Sequence, residues 1–277
     1  MKPYFLTACA VIKNEYPYVL EWIAFHRLVG VEHFYLYDNG SNDGTYELLE
    51  KLSITKPELI TVYDVRHVNP VQLASYTDCL YLHRKDSEWI AFIDVDEFLY
   101  SLNYPDLKEF IKSIGFFANY NIGAIAAHWY LFGSNGHTEK TNGLVIERFT
   151  RRQPDANLHV KSIVRTDAAL SVGKDPHTFY LIDGFTAVNE RGVALPRDYA
   201  LTKGGTGNSL RCNHYHTKSH AEYIERKKLG DPQTLAVDVG ERLEERFRAH
   251  DRNDVEDTYL KDKYSKMIET VIVKELI

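Results

Sequence analysis

The first hundred residues alternate between short apolar runs and segments in which apolar residues recur three or four positions apart. The apolar runs, at 4–11, 33–37, 59–65 and 89–93, have the length and composition of strands. Helical spacing occupies the stretches that follow the first three runs, ending at Gly30, near 52 and near 84. Strands that alternate with helices in this way predict an α/β fold with a mostly parallel sheet flanked by helices.

The ends of these elements carry further signals. Asn14 precedes the first helical segment and Gly30 follows it, so we expect Asn14 to cap this helix and Gly30 to end it. The second half is less regular, and we expect strands at 122–132, 144–150, 159–165, 178–182 and 212–216, and a helix at 221–229. From about 238 the chain is charged, and its apolar spacing predicts packed helices. We therefore divide the chain into a domain at 1–235, with halves at 1–100 and 101–235, and a helical extension at 236–277.

Polar clusters follow three of the predicted strands, at 13–15, 38–43 and 94–97. In a parallel sheet, ligands bind beyond the carboxyl ends of the strands. The three clusters therefore predict one binding site at this edge of the sheet.

The third cluster contains two aspartates, Asp94 and Asp96, directly after the apolar run WIAFI. Residues i and i+2 of a strand point to the same side, so the two carboxylates could hold one cation. Mg²⁺ and Mn²⁺ prefer such oxygen ligands, together with substrate phosphates. A pair of aspartates at this spacing also occurs by chance, and the alternative is a solvated pair at the end of a strand.

Composition narrows the class of protein. Lys and Arg number 33 and Asp and Glu 39, a net charge of −6, which argues against a general nucleic-acid binder. The three cysteines are widely spaced and are expected to be reduced, buried thiols. The sequence has no apolar run long enough to span a membrane, so we expect a cytoplasmic protein with peripheral contact to a membrane where a lipid-linked acceptor is presented.

Several segments resemble glycosyltransferases of the GT-A fold, and most of all the family-2-like and family-92-like group. The similar segments are AVIKNE (10–15), YDNGSNDGT (37–45), WIAFIDVDEF (89–98), FGSNGH (132–137), HVKSIVR (159–165) and NHYHTKSHAEYIERK (213–227). The resemblance covers about residues 4–230. It implies a Rossmann-like GT-A domain with a nucleotide-sugar-binding half, a mixed acceptor-side half and C-terminal helices.

The resemblance also implies an activity: inverting, metal-dependent transfer of a hexose from a nucleotide-sugar, a UDP-sugar above all, to a glycan or lipid-linked acceptor of polysaccharide or lipopolysaccharide biosynthesis. The cofactor would be Mn²⁺ or Mg²⁺, held by residues from the aspartate motif and the C-terminal half: Asp94, Asp96, His214 and His216. The residues expected to contact the donor are Ala10, Lys13, Asn14, Glu15, Asp38, Gln72, Tyr76, Asp94, Val95, Lys161 and Lys218.

The general base is harder to predict, because the acidic pair that family 2 often uses is absent from the expected region. Asp155 and His137 are the favoured candidates, with Glu139 and Asp183 as further ones. Trp129 could stack on a sugar or fill the core.

Two other functions stay open: a non-catalytic module that binds sugar nucleotides or glycans, and a metal-dependent phosphohydrolase. The phosphohydrolase is disfavoured because its nucleophilic aspartate follows the first strand, and here the motif follows the fourth.

Overall fold

The computed structural model describes residues 2–117, 121–230 and 240–277. Its first part alternates strands and helices as predicted: β1 (Tyr4–Ile12), α1 (Val19–Leu28), β2 (His33–Asp38), α2 (Thr45–Thr55), β3 (Ile60–Asp64), α3 (Val71–His83), β4 (Ser87–Phe92) and β5 (Glu97–Ser101). The mixed α/β fold with a parallel first half is therefore confirmed.

The second part contains short strands and helices. They are α4 (Leu107–Phe117), β6 (Asn121–Leu131), α5 (Val145–Arg148), β7 (Arg151–Arg152), β8 (Val160–Arg165), β9 (Ala169–Val172), β10 (Phe179–Leu181), β11 (Phe185–Asn189) and β12 (Leu210–His214). The chain ends with α6 (His220–Lys227), α7 (Glu241–His250), β13 (Val255–Glu256), α8 (Tyr259–Val271) and a π-helical turn (Ile272–Leu276).

Three local expectations were wrong. The stretch 144–150 contains the short helix α5 instead of a strand, because the buried carboxylate of Glu21 accepts hydrogen bonds from the backbone nitrogens of Val145 and Ile146 at the start of the helix. Asn14 does not cap α1: it has a φ of 57°, and its side-chain oxygen accepts a hydrogen bond from the backbone nitrogen of Asn42. Strand β12, expected at 212–216, ends at His214.

The main sheet runs in the order β3-β2-β1-β4-β8-β6-β12-β5, with β11 beside β6. Strands β3, β2, β1 and β4 run parallel to one another. Strand β8 is antiparallel to both β4 and β6, so the later half of the sheet is mixed. This order brings the carboxyl ends of β1, β2 and β4 to one edge and places β8 beside the aspartate motif.

Each face of the sheet is covered by its own hydrophobic core. Alternate residues of β1 divide between them, with Ala8 and Ala10 in one core and Cys9 in the other. Helices α1 and α8 pack on the first face, where the rings of Phe25 and Tyr264 meet edge to face at 5.2 Å. Helix α8 thus contributes to the same core as the first half of the chain.

Candidate active site

The aspartate motif lies in a tight turn between β4 and β5. The turn is closed by a 3.0 Å hydrogen bond from the backbone nitrogen of Glu97 to the carbonyl of Asp94. Because the motif turns instead of continuing as a strand, the two carboxylates meet different partners, and the expectation that strand geometry aims them at one point was wrong. The carbonyl of Asp96 accepts a hydrogen bond from the backbone nitrogen of Tyr215, which holds the end of β12 beside the turn.

Asp94 is held by side chains from α3 and β8. Its Oδ1 accepts hydrogen bonds from Gln72 Nε2 at 2.9 Å and from the Tyr76 hydroxyl at 3.3 Å. Its Oδ2 accepts from Lys161 Nζ at 2.7 Å. Three of the residues predicted from sequence to contact the donor therefore surround the first aspartate of the motif. The ammonium of Lys161 forms an ion pair with this carboxylate.

Lys161 bridges two acids. It is 1% exposed, and its Nζ also lies 3.4 Å from Oε2 of the fully buried Glu97. Burial would lower the pKa of Lys161, but the two carboxylates outweigh it and raise the pKa well above its usual value, so the ammonium stays charged. Glu97, directly after the motif, was not singled out from sequence, although its position there was a signal.

Asp96 and two histidines form the cluster best suited to a metal ion. Ligand atoms of Asp96, His214 and His216 all lie within 4.8 Å of one another. Asp96 is 1% exposed, and within the described part of the chain its Oδ1 and the Nδ1 of His214 are buried without a hydrogen-bond partner. A carboxylate oxygen and imidazole nitrogens are suitable ligands for Mn²⁺, so the residues fit the divalent cation that the sequence predicts.

Electrostatics keep this cluster in the protonation state that binds metals. Burial would raise the pKa of Asp96, but Arg226 and His214 outweigh it and hold the pKa well below its usual range. Burial and neighbouring positive groups lower the pKa of His216, and burial lowers that of His214. An ionised carboxylate and neutral imidazoles are the forms that donate lone pairs to a cation.

Arg226 of α6 is a functional candidate that the sequence prediction missed. Its guanidinium contacts Oδ2 of Asp96, the oxygen that also lies 3.3 Å from Nε2 of His214. Helix α6 is fixed by a capping box, in which the hydroxyl of Ser219 and the carboxylate of Glu222 exchange hydrogen bonds with each other's backbone nitrogens. The Ser-x-x-Glu spacing was visible in the sequence, and Arg226 lies four residues, about one helical turn, beyond Glu222.

The loops after β1 and β2 are tied together at the same edge. The backbone nitrogen of Asn14 donates to the hydroxyl of Ser41, and that of Glu15 donates to the hydroxyl of Thr45. Asp38 is fully buried, and its Oδ1 accepts from the backbone nitrogens of Gly40 and Ser41 at 2.9 Å each. Asn14 and one oxygen of Asp38 therefore shape the edge of the site.

Two adjoining cavities open at this edge. The smaller, of about 150 Å³, extends from the ends of β1 and β4, and its lining includes Lys13, Glu15, Gln72, Asp94, Val95, Asp96 and Arg226. The larger, of about 300 Å³, lies towards α6, and its lining includes Tyr18, Lys140, His216, Lys218 and Arg226. Lys218 is 4% exposed, and its Nζ lies 4.2 Å from the centre of the Tyr18 ring.

Trp129 packs beside the cluster of Asp96, His214 and His216. Its indole is 4.3 Å from the ring of His214, stacks on His159 at 5.0 Å, and meets the ring of His177 edge-on at 5.3 Å. Burial and the nearby Lys161 lower the pKa of His177 to about 4, so this ring is neutral.

Other predicted residues lie apart from the cavities. Ala10 is fully buried in the core, which is a packing position instead of the donor contact expected. Asp155 is exposed in the loop before β8, and the ring of His137 packs edge-on against Phe149. Neither side chain lines the two cavities above, and the general base stays a prediction.

Among the residues that the structure describes, none of the helices has the length and hydropathy needed to cross a bilayer.

Curated relatives match about two thirds of the chain. A protein of Oryza sativa subsp. japonica named as glycosyltransferase family 92 is 31% identical over 204 residues, 72% of this chain and 33% of that protein. An Arabidopsis thaliana protein of the same family name is 33% identical over 193 residues, 65% of this chain and 32% of that protein. The chain spans about a third of the length of these relatives. The galactan β-1,4-galactosyltransferase GALS3 of Arabidopsis thaliana is 35% identical over 108 residues, 35% of this chain and 20% of that protein.

Solved structures give only distant likenesses. The mannosyltransferase PcManGT of Pyrobaculum calidifontis, in complex with GDP-Man and Mn²⁺, is 15% identical with a TM-score of 0.44, over 82% of this chain and 62% of that one. Residues 1–349 of TarS from S. aureus are 13% identical with a TM-score of 0.41, over 100% of this chain and 76% of that one. Likenesses this distant say nothing about the chemistry of this chain.

The family resemblance of the sequence segments is confirmed by a family model. The model for glycosyltransferase family 92 matches residues 6–194, which include the aspartate motif and most of the donor-side candidates. This match covers more than half of the chain, and the chain therefore belongs to glycosyltransferase family 92.

Proposed function

We propose that this chain transfers a hexose from a UDP-sugar to a glycan acceptor, with inversion and with the help of a divalent cation. The observation that carries the proposal is the cluster of Asp96, His214 and His216 beside two cavities at the carboxyl edge of the parallel strands. Membership of family 92 supports glycosyl transfer as the reaction class.

Asp96, His214 and His216 would hold the cation. When bound, a divalent cation neutralises the charge that develops on a diphosphate leaving group. Asp94 has a different task in this proposal, because Lys161, Gln72 and Tyr76 already engage it. Fixed by these three, Asp94 orients the turn that carries Asp96.

The smaller cavity is the proposed place for the nucleotide. It lies beyond the carboxyl ends of the strands, where open α/β sheets bind their ligands, and Lys13 and Gln72 supply polar groups there. The larger cavity leads from Arg226 towards Lys218, whose buried ammonium would face the phosphates. The acceptor would approach from the side of Trp129, whose indole packs beside His214.

A phosphohydrolase would need a carboxylate free to attack phosphorus. Oδ2 of Asp94 is paired with Lys161, and Oδ2 of Asp96 is paired with Arg226 and His214, which disfavours both as nucleophiles. The galactosyltransferase relatives make UDP-galactose the first donor to test.

The test is release of UDP from UDP-galactose, UDP-glucose and UDP-N-acetylglucosamine, with β-1,4-galactan oligomers as acceptor and with Mn²⁺ or EDTA. We expect one donor to be consumed with Mn²⁺ and not with EDTA. Asp96→Asn should abolish the reaction, whereas Asp167→Asn, an exposed aspartate at the opposite end of β4 and β8, should leave it unchanged. Elongated oligomers with a newly formed β-linkage by NMR would show inversion. UDP release from none of the donors, or equal release by Asp96→Asn, would contradict the proposal.

A further inference from the structure

Arg226 contacts the same carboxylate, that of Asp96, that belongs to the candidate metal cluster. Its guanidinium contacts Oδ2, the carboxylate oxygen that the Nε2 of His214 approaches at 3.3 Å. A divalent cation held by Asp96, His214 and His216 would lie on the same buried carboxylate. Two positive groups that share one buried carboxylate repel each other strongly, because the surroundings screen charge poorly.

The guanidinium of Arg226 could also turn away from Asp96 and into the two cavities. Arg226 lines both cavities, and its side chain is 34% exposed, whereas that of Asp96 is 1% exposed. A guanidinium that leaves Asp96 would remain at the boundary between the two cavities, where we propose that the donor phosphates bind. A planar guanidinium with paired donors suits phosphate oxygens better than an ammonium does.

We propose that Arg226 is an exchangeable counter-ion: it neutralises Asp96 in the metal-free protein and transfers to the donor diphosphate when a divalent cation binds Asp96. This inference rests on the proposed function, since it needs a diphosphate ligand.

The physical reason is the cost of a buried, unpaired carboxylate. Asp96 without a cation nearby would be an uncompensated charge in the interior, which is strongly destabilising. Arg226 prevents this before the metal arrives, but it thereby weakens metal binding. The donor removes the competition by accepting the guanidinium. Metal and donor therefore bind cooperatively, and thermodynamic linkage requires each to raise the affinity for the other by the same factor.

Binding of Mn²⁺ alone tests the competition directly. The free Mn²⁺ signal in electron paramagnetic resonance gives the Mn²⁺ affinity of the full chain without nucleotide. We expect Arg226→Met to bind Mn²⁺ about tenfold more tightly than the unmodified chain, about 1.4 kcal/mol. Lys228→Met, which removes the same charge from the exposed end of α6, should change the affinity less than twofold.

The second measurement is calorimetric titration of UDP at saturating Mn²⁺. Arg226→Met should bind UDP about tenfold more weakly, although its Mn²⁺ affinity has risen. Arg226→Lys keeps the charge but loses the planar fork, so it should keep the weak Mn²⁺ binding and lose UDP affinity. Thermal unfolding of every variant shows whether it is folded.

The outcomes separate this inference from the proposed function. If the unmodified chain binds UDP with Mn²⁺ and a folded Arg226→Met has unchanged Mn²⁺ affinity, the exchange is refuted while the transferase proposal stands. An increase in Mn²⁺ affinity that is equally large in Lys228→Met would also refute it, since a change of net charge would then be the cause. If neither the unmodified chain nor the variants bind Mn²⁺, both proposals fail.

Discussion

The ammonium nitrogen of Lys161 lies 2.7 Å from Oδ2 of Asp94, and a single buried cation thereby joins β8 to the aspartate motif. The same nitrogen is 3.4 Å from Glu97, which is fully buried. Asp94 is part of a stretch only four residues long that contains three acids. Lys161 is therefore the buried cation that neutralises Asp94 and lies beside Glu97, two of these three acids.

Lys161→Met should destabilise the protein. The variant leaves Asp94 and Glu97 close together without their cation, and removal of one partner from a buried ion pair typically costs about 3 to 5 kcal/mol. Urea denaturation at pH 7 measures this loss. Arg165→Met, at an exposed position of the same strand, is the control and should cost less than about 1 kcal/mol. Equal losses for the two variants would contradict the role of Lys161.

The buried pair of Arg148 and Glu222 should show strong coupling. The guanidinium nitrogens lie 3.1 Å from the carboxylate oxygens, and both side chains are at most 5% exposed. Arg148→Met should cost about 3 to 5 kcal/mol, because it leaves the Glu222 charge buried. Arg148→Met combined with Glu222→Gln should be more stable than Arg148→Met alone, which urea denaturation of the double-mutant cycle would show. If the losses of stability in Arg148→Met and Glu222→Gln simply add in the double variant, the two side chains are not coupled and the prediction is wrong.

Glu21 should make stability depend on pH between about 4.5 and 7. Burial raises its pKa to about 7, against hydrogen bonds from Val145 and Ile146 and the charge of Arg148, which lower it. In the unfolded chain a glutamate has a pKa of about 4.3. Between these values the folded state binds more protons, so the free energy of unfolding falls as pH rises, by at most about 1.4 kcal/mol per pH unit from this group.

Denaturation of Glu21→Gln across the same pH range isolates this contribution. The glutamine is neutral at every pH. We therefore expect the free energy of unfolding of Glu21→Gln to rise relative to that of the unmodified chain from pH 4.5 to 7. A difference between the two proteins that stays constant over this range would show that Glu21 is ionised throughout in the folded state.

Trp129 should report metal binding. Its ring is 4.3 Å from that of His214, so a paramagnetic ion on His214 would quench its fluorescence. We expect Mn²⁺ to lower the tryptophan emission of the unmodified chain and to have little effect on Trp129→Phe, which keeps Trp22 and Trp89. Mg²⁺, which is diamagnetic, is the matched ion and should not quench. Quenching that persists in Trp129→Phe would place the ion elsewhere.

Much of the first half of the fold could be predicted from sequence, because its strands are buried apolar runs and its helices have clear periodicity. The second half was harder. Residues 144–150 look like a strand, but 145–148 form a helix whose first backbone nitrogens donate to the distant carboxylate of Glu21. Asn14 has the chemistry of a cap, but its partner is Asn42 in another loop. Contacts between residues far apart in the chain decided both cases.

The candidate site shows the same division. Position after a strand singled out Asp94 and Asp96, and the family resemblance added His214 and His216; the structure brings Asp96 and the two histidines together. The sequence did not show that Asp94 pairs with Lys161 or that Arg226 pairs with Asp96, because each pair joins elements that only the sheet order and the packing of α6 bring together. Ala10 was expected to contact the donor because it lies in the segment AVIKNE, which resembles the family. Side chains of β1 point alternately to the two faces of the sheet, and that of Ala10 points into the core.

Calorimetric titration of UDP into the chain, with Mn²⁺ and then with EDTA, tests the metal-dependent donor site when Asp96→Asn is measured alongside. We predict UDP binding that needs Mn²⁺ and that falls at least tenfold in Asp96→Asn, because this buried carboxylate belongs to the cluster proposed to hold the cation. UDP binding that is the same with EDTA, or the same in Asp96→Asn, would contradict a metal-dependent donor site at this cluster.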